Sequence, residues 1–501
     1  MELVFQEQRQ EFLSRILCDT VSQEQTADVI IPVSAPDAER VVDGFGTLLI
    51  RAEECGEDSA AVSGTVQAGA LFVCEDGSVR RVDAEIPFSV RRDFPQQTED
   101  CIMECDCELR SVDARLLNSR KVLLRVCVSC TLSVYAPKTC TCYDISEPSP
   151  NLQIKRTVLP LRMASQLGEK SFPINEVLEL PNGRPEIVRL LKCLYRTEID
   201  EERMVGNKAV FKGNLTVHAL YEGEDGELYT NDWCLPFSQY AELEREMDEG
   251  DLRTALSLTG AEAEPDSQFA TRKLLLGANL LARCTVFSVQ NVSVIEDAFC
   301  TDAELQPTWE EWSMTGILDQ QEFRETATAE SEQQAQRIVD CWFLPDEPSM
   351  QRTDGKMQIE LPLSCSVLYY DADGRLQGKT LRPTIHLETE IARNAQCSVA
   401  QVNGGEVFCS AGSGGISLRV PVRVGVDSFA EHLIRAVSGG EITPPEENLQ
   451  RRPAVLLRLT DREESVWDIA KSCRADLRLI TAANELSGTS VPAGTLLLIP
   501  M

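Results

Sequence analysis

Leu71-Phe72-Val73-Cys74-Glu75-Asp76-Gly77 returns as Leu220-Tyr221-Glu222-Gly223-Glu224-Asp225-Gly226, and again as Leu368-Tyr369-Tyr370-Asp371-Ala372-Asp373-Gly374. The spacing is about 149 and then about 148 residues, close to one domain length. The flanks agree in register. Upstream, Pro36-Asp37-Ala38-Glu39-Arg40-Val41-Val42 matches Pro185-Glu186-Ile187-Val188-Arg189-Leu190-Leu191, and Ala335-Gln336-Arg337-Ile338-Val339 matches its last five positions. Downstream, Ile86-Pro87-Phe88-Ser89 matches Leu235-Pro236-Phe237-Ser238 without a gap. After a small insertion, Asn118-Ser119-Arg120-Lys121-Val122-Leu123-Leu124 matches Ala270-Thr271-Arg272-Lys273-Leu274-Leu275-Leu276. The third copy keeps Pro383 one place out of register and lacks the Arg-Lys pair, so it has diverged most.

Each copy reads as β-structure. Val62, Val66, Ala68, Ala70 and Phe72 fall on one side of an alternating pattern, Asp76-Gly77 turns the chain, and a return strand runs from Val79 towards Val90. Asp-Gly between alternating segments signals a hairpin, with a type I′ turn expected because both its central residues need positive φ. A second strand pair is predicted over Cys101–Val112 and Lys121–Tyr135, and a short helix over Pro36–Asp43 with proline in its first turn. The sum is a mainly β fold of tandem β-sandwich-like repeats with minor helix. Their order is repeat 1 at 1–165, repeat 2 at 166–300, a divergent repeat 3 at 317–435, a linker at 436–453 and a small domain at 454–501. Linker character is expected at Thr139–Asn151 and most clearly at Ser438–Pro453, and also at the acidic Thr301–Gly316, where Trp309 and Trp312 leave packing open as the alternative to a free linker.

Composition narrows the function. The chain has 501 residues and a formal net charge of -32, from 80 acidic and 48 basic side chains. Such a surface repels phosphate backbones and anionic lipid, which argues against nucleic-acid binding. The first residues, Met1-Glu2-Leu3-Val4-Phe5, lack the basic and apolar regions of a secretory signal. No apolar run reaches the ~18–20 residues of a membrane helix, so no membrane span and a cytoplasmic origin are expected.

Among 19 cysteines, seven lie between Cys101 and Cys142. Cys127 and Cys130 sit three apart on a predicted strand and point to opposite faces, which argues against zinc. Buried thiols acting as small hydrophobes are the default. Cys105/Cys107 and Cys140/Cys142 each place two thiols on one strand face, which leaves late disulfide cross-linking open. The three histidines, His218, His386 and His432, form no metal-spaced group. There is no Gly-x-Ser-x-Gly elbow and no phosphate-binding loop, and Ala411-Gly412-Ser413-Gly414-Gly415 reads as a flexible turn. No catalytic residues, metal ligands or cofactors are therefore assigned, and a non-enzymatic role is expected. Arg120-Lys121 and Arg272-Lys273 read as solvated hairpin charges or as a dock for an acidic neighbour.

After the last linker, Val455–Leu459 reads as a strand. Ser465 caps a helix starting at Val466-Trp467-Asp468, Asp476 caps a second helix to Asn484, and Gly494 turns into a strand over Thr495–Pro500. Trp467 is expected in the core. This β-α-α-β segment resembles the LysM domain through Val466-Trp467-Asp468-Ile469-Ala470, Asn484-Glu485-Leu486 and Pro492-Ala493-Gly494-Thr495-Leu496-Leu497-Leu498-Ile499-Pro500. LysM domains bind N-acetylglucosamine glycans in a shallow groove. The resemblance carries that groove to Glu463, Glu464, Ser465 and Val466, and to Asn484, Glu485, Leu486 and Ser487. Where members carry Gly-Asp-Thr this chain has Glu463-Glu464-Ser465, which adds charge at the rim, and a protein partner stands beside a glycan one.

The repeats, through Leu-Phe/Tyr-x-x-x-Asp-Gly, the hydrophobic-Pro-Phe-Ser step and Asn118-Ser119-Arg120-Lys121, resemble the SPOCS domain of clostridial spore-coat and spore-envelope morphogenetic proteins. The resemblance spans most of residues 1–430 and is weakest in the third copy. It implies a structural protein of the spore envelope, made on the mother-cell side and recruited to the forespore surface. The implied partners are a spore-coat morphogenetic protein or peptidoglycan, with self-assembly open. A general cell-wall peptidoglycan binder unrelated to sporulation is the alternative.

Overall fold

The computed structural model describes residues 2–94, 100–144, 151–247, 250–412, 414–444 and 453–501. The first unit contains β1 (Glu2–Val4), β2 (Gln6–Ile30), β3 (Ala38–Cys55), β4 (Ser59–Cys74), β5 (Val79–Asp93), β6 (Ile102–Asn118) and β7 (Lys121–Asp144). The second contains β8 (Leu152–Glu179), β9 (Ile187–Val205), β10 (Lys208–Gly223), β11 (Leu228–Glu242), β12 (Asp251–Pro265) and β13 (Lys273–Cys300). The third contains β14 (Glu304–Ser331), β15 (Arg337–Pro345), β16 (Ser349–Thr353), β17 (Lys356–Tyr370), β18 (Leu376–Leu381), β19 (Thr384–Glu390), β20 (Ala395–Gly404), β21 (Phe408–Gly412) and β22 (Gly415–Thr443).

One topology repeats three times. A long opening strand pairs antiparallel with a long closing strand, β2 with β7, β8 with β13 and β14 with β22. The strand before the closing one adds to its other edge: β6, β12, and in the third unit β20 and β21. The opposite layer is a meander, β3-β4-β5, β9-β10-β11, and β15 to β19 around β17. The third meander is interrupted between β15 and β16, where Pro345 and Pro348 lie, and between β18 and β19 at Pro383, whereas Pro87 and Pro236 sit within unbroken β5 and β11. Those interruptions account for the weak sequence register of this copy.

Each sandwich encloses its own apolar core. Val62, Val66, Ala68, Ala70 and Phe72 point inward against Val122, Leu124, Val126 and Val128 of the facing sheet, as the alternation requires. The second and third cores pair β10 with β13 and β17 with β22 in the same way. The mainly β, sandwich-like reading therefore holds.

Several local expectations need correction. Pro36–Asp43 forms no helix; β3 begins at Ala38, and the proline serves the entry to a strand. The Asp-Gly hairpins are real, but positive φ is confined to Gly77, Gly226 and Gly374, at +81, +76 and +73°. Gly77 N donates to Cys74 O at 2.9 Å and Cys74 N to Ser78 O at 2.9 Å, the three-residue hairpin with a left-handed glycine in place of a type I′ turn. Thr139–Asp144, Glu304–Gly316 and Ser438–Thr443, read as linkers, belong to β7, β14 and β22, while 145–150 and 445–452 lie outside the described residues. The opening strand of the second unit starts at Leu152 and runs through the expected boundary at 165. Ser413 of the expected glycine-rich turn also lies outside the described residues; around it Gly412 pairs with Gly415.

The reason for those long strands is a second layer of organisation. The outer halves of β2/β7, β8/β13 and β14/β22 continue beyond the sandwiches as three antiparallel ribbons. Phe12, Cys140 and Cys142 of the first ribbon, Leu161, Met163, Val292 and Val294 of the second, and Met314, Ile434 and Ala436 of the third share one core, forming a three-ribbon stalk. At the stalk's base, equivalent side chains Tyr135, Phe287 and Phe429 meet Leu13, Ala164 and Ile317. At the opposite end, Val42 and Leu71, Leu191 and Leu220, and Val339 and Leu368 form another shared core. The three units thus surround a pseudo-threefold axis. Short β1 pairs with β22, Glu2 opposite Glu441, and closes the ring.

A C-terminal module follows, with β23 (Val455–Leu459), β24 (Glu464–Ser465), α1 (Val466–Cys473), α2 (Leu477–Ala483), β25 (Ser490–Val491) and β26 (Leu496–Pro500). Ser465 and Asp476 cap the two helices, their side chains accepting from Trp467 N and Arg478 N. β23 and β26 pair antiparallel across the module.

Candidate functional site

Two regions concentrate polar chemistry: the pseudo-threefold axis and the terminal module. The axis begins from apolar strand starts, Val41-Val42-Asp43, Leu190-Leu191-Lys192 and Ile338-Val339-Asp340, which occupy the same place in β3, β9 and β15. In each, the residue after two apolar ones points at the axis. Lys192 Nζ lies 2.7 Å from Asp43 Oδ2 and 2.5 Å from Asp340 Oδ2, with all three side chains at most 2 % exposed. His218 of β10 brings Nε2 to 2.7 Å from Asp340 Oδ1 and Nδ1 to 2.5 Å from Asp232 Oδ1. Ser366 of β17, at the position equivalent to His218, donates to the 2.5 Å-distant Asp43 Oδ1.

The electrostatics favour the fully charged state. Burial would strip the proton from Lys192, but Asp340 and Asp43 outweigh it and hold the ammonium above its ordinary pKa. Burial likewise opposes the His218 imidazolium, and the Asp340 and Asp232 carboxylates overcome it, raising its pKa to about 9. Asp340, which burial alone would protonate, is kept well below the carboxylate range by Lys192 and His218. These are three different copies of one strand position meeting as anion, cation and anion.

Between this cluster and the stalk base lies a half-open cavity of about 290 Å³, lined by all three units. Arg196 stacks over Trp342 and Phe343, 4.2 and 4.4 Å from the ring centroids, and donates to Gly404 O and Gly405 O at 3.2 and 3.1 Å. Burial lowers its pKa to about 10. Arg253 pairs with Asp427, and burial together with Glu108 pushes the Asp106 carboxyl up to about 7. Arg196 and Arg253 thus fasten the second unit to the third across the cavity, while Asp106 and Glu108 both come from β6 of the first. Among the described residues no group of three or more His, Cys, Asp or Glu is placed to hold a metal ion.

The two other singled-out features resolve into structure. Arg120 donates to Pro32 O and Ala35 O, and Arg272 to Leu180 O, Pro181 O and Arg184 O. Both arginines clamp the loop that leads from the opening strand to the meander, while Lys121 and Lys273 stay partly exposed in ion pairs with Asp28 and Glu179 of their own units, so the solvated-charge reading fits the lysines and not the arginines. His386 is exposed, His432 is half-buried with a pKa lowered by burial, and His218 belongs to the axis.

In the module, the expected groove residues divide by task. Ser465 caps α1, Val466 is 3 % exposed in the module core, and Glu464 pairs with Arg458 at 2.7 Å. Asn484 is locked to β26, donating to Leu498 O at 2.6 Å and accepting from Leu498 N at 2.7 Å. Leu486 packs against the same core as Val466, and Glu485 takes a left-handed φ of 50°. Glu463, Glu485 and Ser487 are left exposed at the rim, with Glu463 Oε1 accepting from Ser490 Oγ at 2.9 Å. The first segment is joined to β25 through Glu464 opposite Val491 and Ser465 opposite Ser490, while the second is fastened to β26.

Sequence reasoning missed two features of the module. Val455, Leu457 and Leu459 of β23 and Leu496 and Leu498 of β26 all face outward, 39 to 65 % exposed, making one apolar sheet face. The opposite side is seated on the stalk: Trp467 Nε1 donates to Asp297 Oδ2 at 2.8 Å, Lys471 Nζ meets Asp297 at 2.7 Å, and Phe299 packs edge-on against Trp467 at 5.0 Å. The alternation Val455-Leu456-Leu457-Arg458-Leu459 pointed the wrong way, because the arginine that would mark the solvent face turns inward to Glu464 and Ser472 while Val455, Leu457 and Leu459 face out. Among the described residues no helix is long and apolar enough to cross a membrane. No family model, curated protein or solved structure matches the chain.

Proposed function

We propose that this chain is a non-enzymatic scaffold of the bacterial spore envelope, organising coat or cortex assembly at the forespore surface through its terminal module. The observation that carries the reading is the division of labour within that module. Its helical side is spent on attachment to the stalk, and its sheet side presents five outward aliphatic residues beside the acidic rim of Glu463 and Glu485. An exposed apolar patch of this kind suits a protein partner, since burying it gives roughly 25 cal/mol per Å². The buried polar side chains of the axis support the same reading, because Lys192, Asp43 and Asp340 are spent on one another across units.

A spore-coat morphogenetic protein is thus the first partner and cortex peptidoglycan the second, the latter favoured by the exposed Glu463, Glu485 and Ser487, whose oxygens can meet sugar hydroxyls. The test is a fluorescent fusion followed through sporulation, with Leu457→Glu as the variant. A shell around the forespore that disperses in the variant is the expected result. Uniform cytosolic signal from the unaltered fusion sinks the proposal. Retention on purified peptidoglycan that needs residues 454–501 and survives Leu457→Glu selects the glycan partner.

A further inference from the structure

We propose that the chain carries two oxidisable dithiol sites, Cys107 with Cys130 in the first unit and Cys341 with Cys409 in the third, each closing to an intramolecular disulfide on reaction with a low-molecular-weight disulfide. The inference is independent of the function proposed above.

In the first unit, Cys107 and Cys130 are direct partners in the β6–β7 ladder, and their sulfurs lie 2.8 Å apart. A disulfide bond is ~2.05 Å long, so the remaining gap is under ~1 Å and is closed by small side-chain rotations. Cys105 Sγ is 3.4 Å from Cys107 Sγ but lies two residues away on the same strand. That spacing puts its Cα about 6.6 Å from that of Cys107, near the ~6.8 Å limit for bridging. Cys105 is therefore the thiol left over. Cys105 and Cys107 line the half-open central cavity, which gives a small reagent its way in.

In the third unit, β15 belongs to the meander sheet and β21 pairs with β22 in the facing sheet. Cys341 and Cys409, each half-buried, both pack against the core between these two layers. Interaction between the two thiols lowers the pKa of Cys409 and raises that of Cys341, consistent with Cys409 as the nucleophile and Cys341 as the resolving thiol. At Cys107, hydrogen bonding to Cys105 and Cys130 together with burial holds the thiol protonated, so this site reacts later.

The chemistry is two successive exchanges. Cys409 thiolate attacks one sulfur of the small disulfide, its S–S bond breaks, and one small thiolate leaves. Cys341 then gives its proton to solvent and attacks Cys409 Sγ, forming the protein disulfide and expelling the second small thiolate. Two protein thiols lose two electrons in all, and one small disulfide becomes two thiols. The Cys107–Cys130 bond forms by the same steps. One bond ties the two layers of the third sandwich and the other ties adjacent strands of the first. Exposed Cys18 and Cys234 are the thiols left for reaction between copies.

The test treats the reduced full-length chain with oxidised glutathione, quenches samples over time with iodoacetamide in denaturant, and maps the linked peptides by mass spectrometry. The expected result is a Cys341–Cys409 link first, a Cys107–Cys130 link later, Cys105 alkylated throughout, and a monomeric chain on a non-reducing gel. Cys409→Ser should abolish the early link and spare the later one, and Cys130→Ser should leave Cys107 as a glutathione adduct. Recovery of Cys107, Cys130, Cys341 and Cys409 as alkylated thiols, with copies joined through Cys18 or Cys234, overturns the proposal. The unaltered chain alone decides this if either variant fails to fold.

Discussion

The axis and the module joint use the same pairing of lysine with aspartate and gain different things from it. Lys192, Asp43 and Asp340 are at most 2 % exposed, whereas Lys471 is 43 % and Asp297 17 % exposed. At the axis each charge has given up its water, so removing one leaves the others stranded in a low-dielectric interior. At the joint, solvent screens the pair and replaces whatever is lost. The first arrangement binds three units into one body in a fixed cyclic order, because only one of the three equivalent positions carries the cation. The second holds a module in place without committing it.

The comparison is broken most forcefully at Lys192. Lys192→Met should destabilise the body by roughly 3–5 kcal/mol, the cost of leaving a buried charge unpartnered. Thermal melting should show the loss, and adding Asp43→Asn and Asp340→Asn should recover much of it. An unchanged midpoint for the single variant would mean that the axis is hydrated.

The next test is pH. His218 has a folded pKa of about 9 against an ordinary value of 6.5, so its contribution is complete below about pH 6.5 and is lost as pH rises through about 9. A rise of that size is worth roughly 3 kcal/mol. Urea unfolding at pH 7 and pH 10 should show the alkaline loss, and His218→Gln should shrink the difference between the two. The smallest effect is expected at the joint. Asp297→Ala should cost about 1 kcal/mol or less at this partly exposed pair and leave the main melting transition in place. Limited proteolysis should nonetheless release residues 453–501 faster.

What could be read from the sequence follows from where water lies. Alternation in β4 and β7 was plain because one face is buried in a sandwich. The opening strands were obscure because β2 from Cys18 to Ile30 and β8 from Arg156 to Leu159 expose alternate residues to solvent and bury little in full. Acidic Glu304–Gly316 looked like a linker because the stalk's outer face is acidic, although Trp312 and Met314 of the same stretch pack inward. The axial charges did leave a trace: the aligned copies reach Val42, Leu191 and Val339, and the next position in each is Asp43, Lys192 or Asp340. Opposite charges at one repeated place, directly after paired apolar residues, are the signature of copies that face one another. In the module, caps Ser465 and Asp476 were legible from local chemistry, while the seat on Asp297 was not, since it joins residues 170 positions apart.

The pairing of β1 with β22 sets a condition on biogenesis. The circle of units is joined at its seam by hydrogen bonds between β1 and β22, strands at opposite ends of the three-unit body, so no nascent chain can complete it before β22 emerges. Until then the third sandwich lacks its closing strand, and the first two must hold on their own cores and on the Asp43–Lys192 contact. An N-terminal tag long enough to compete for the β22 edge would leave a body that is folded in parts and open at the seam.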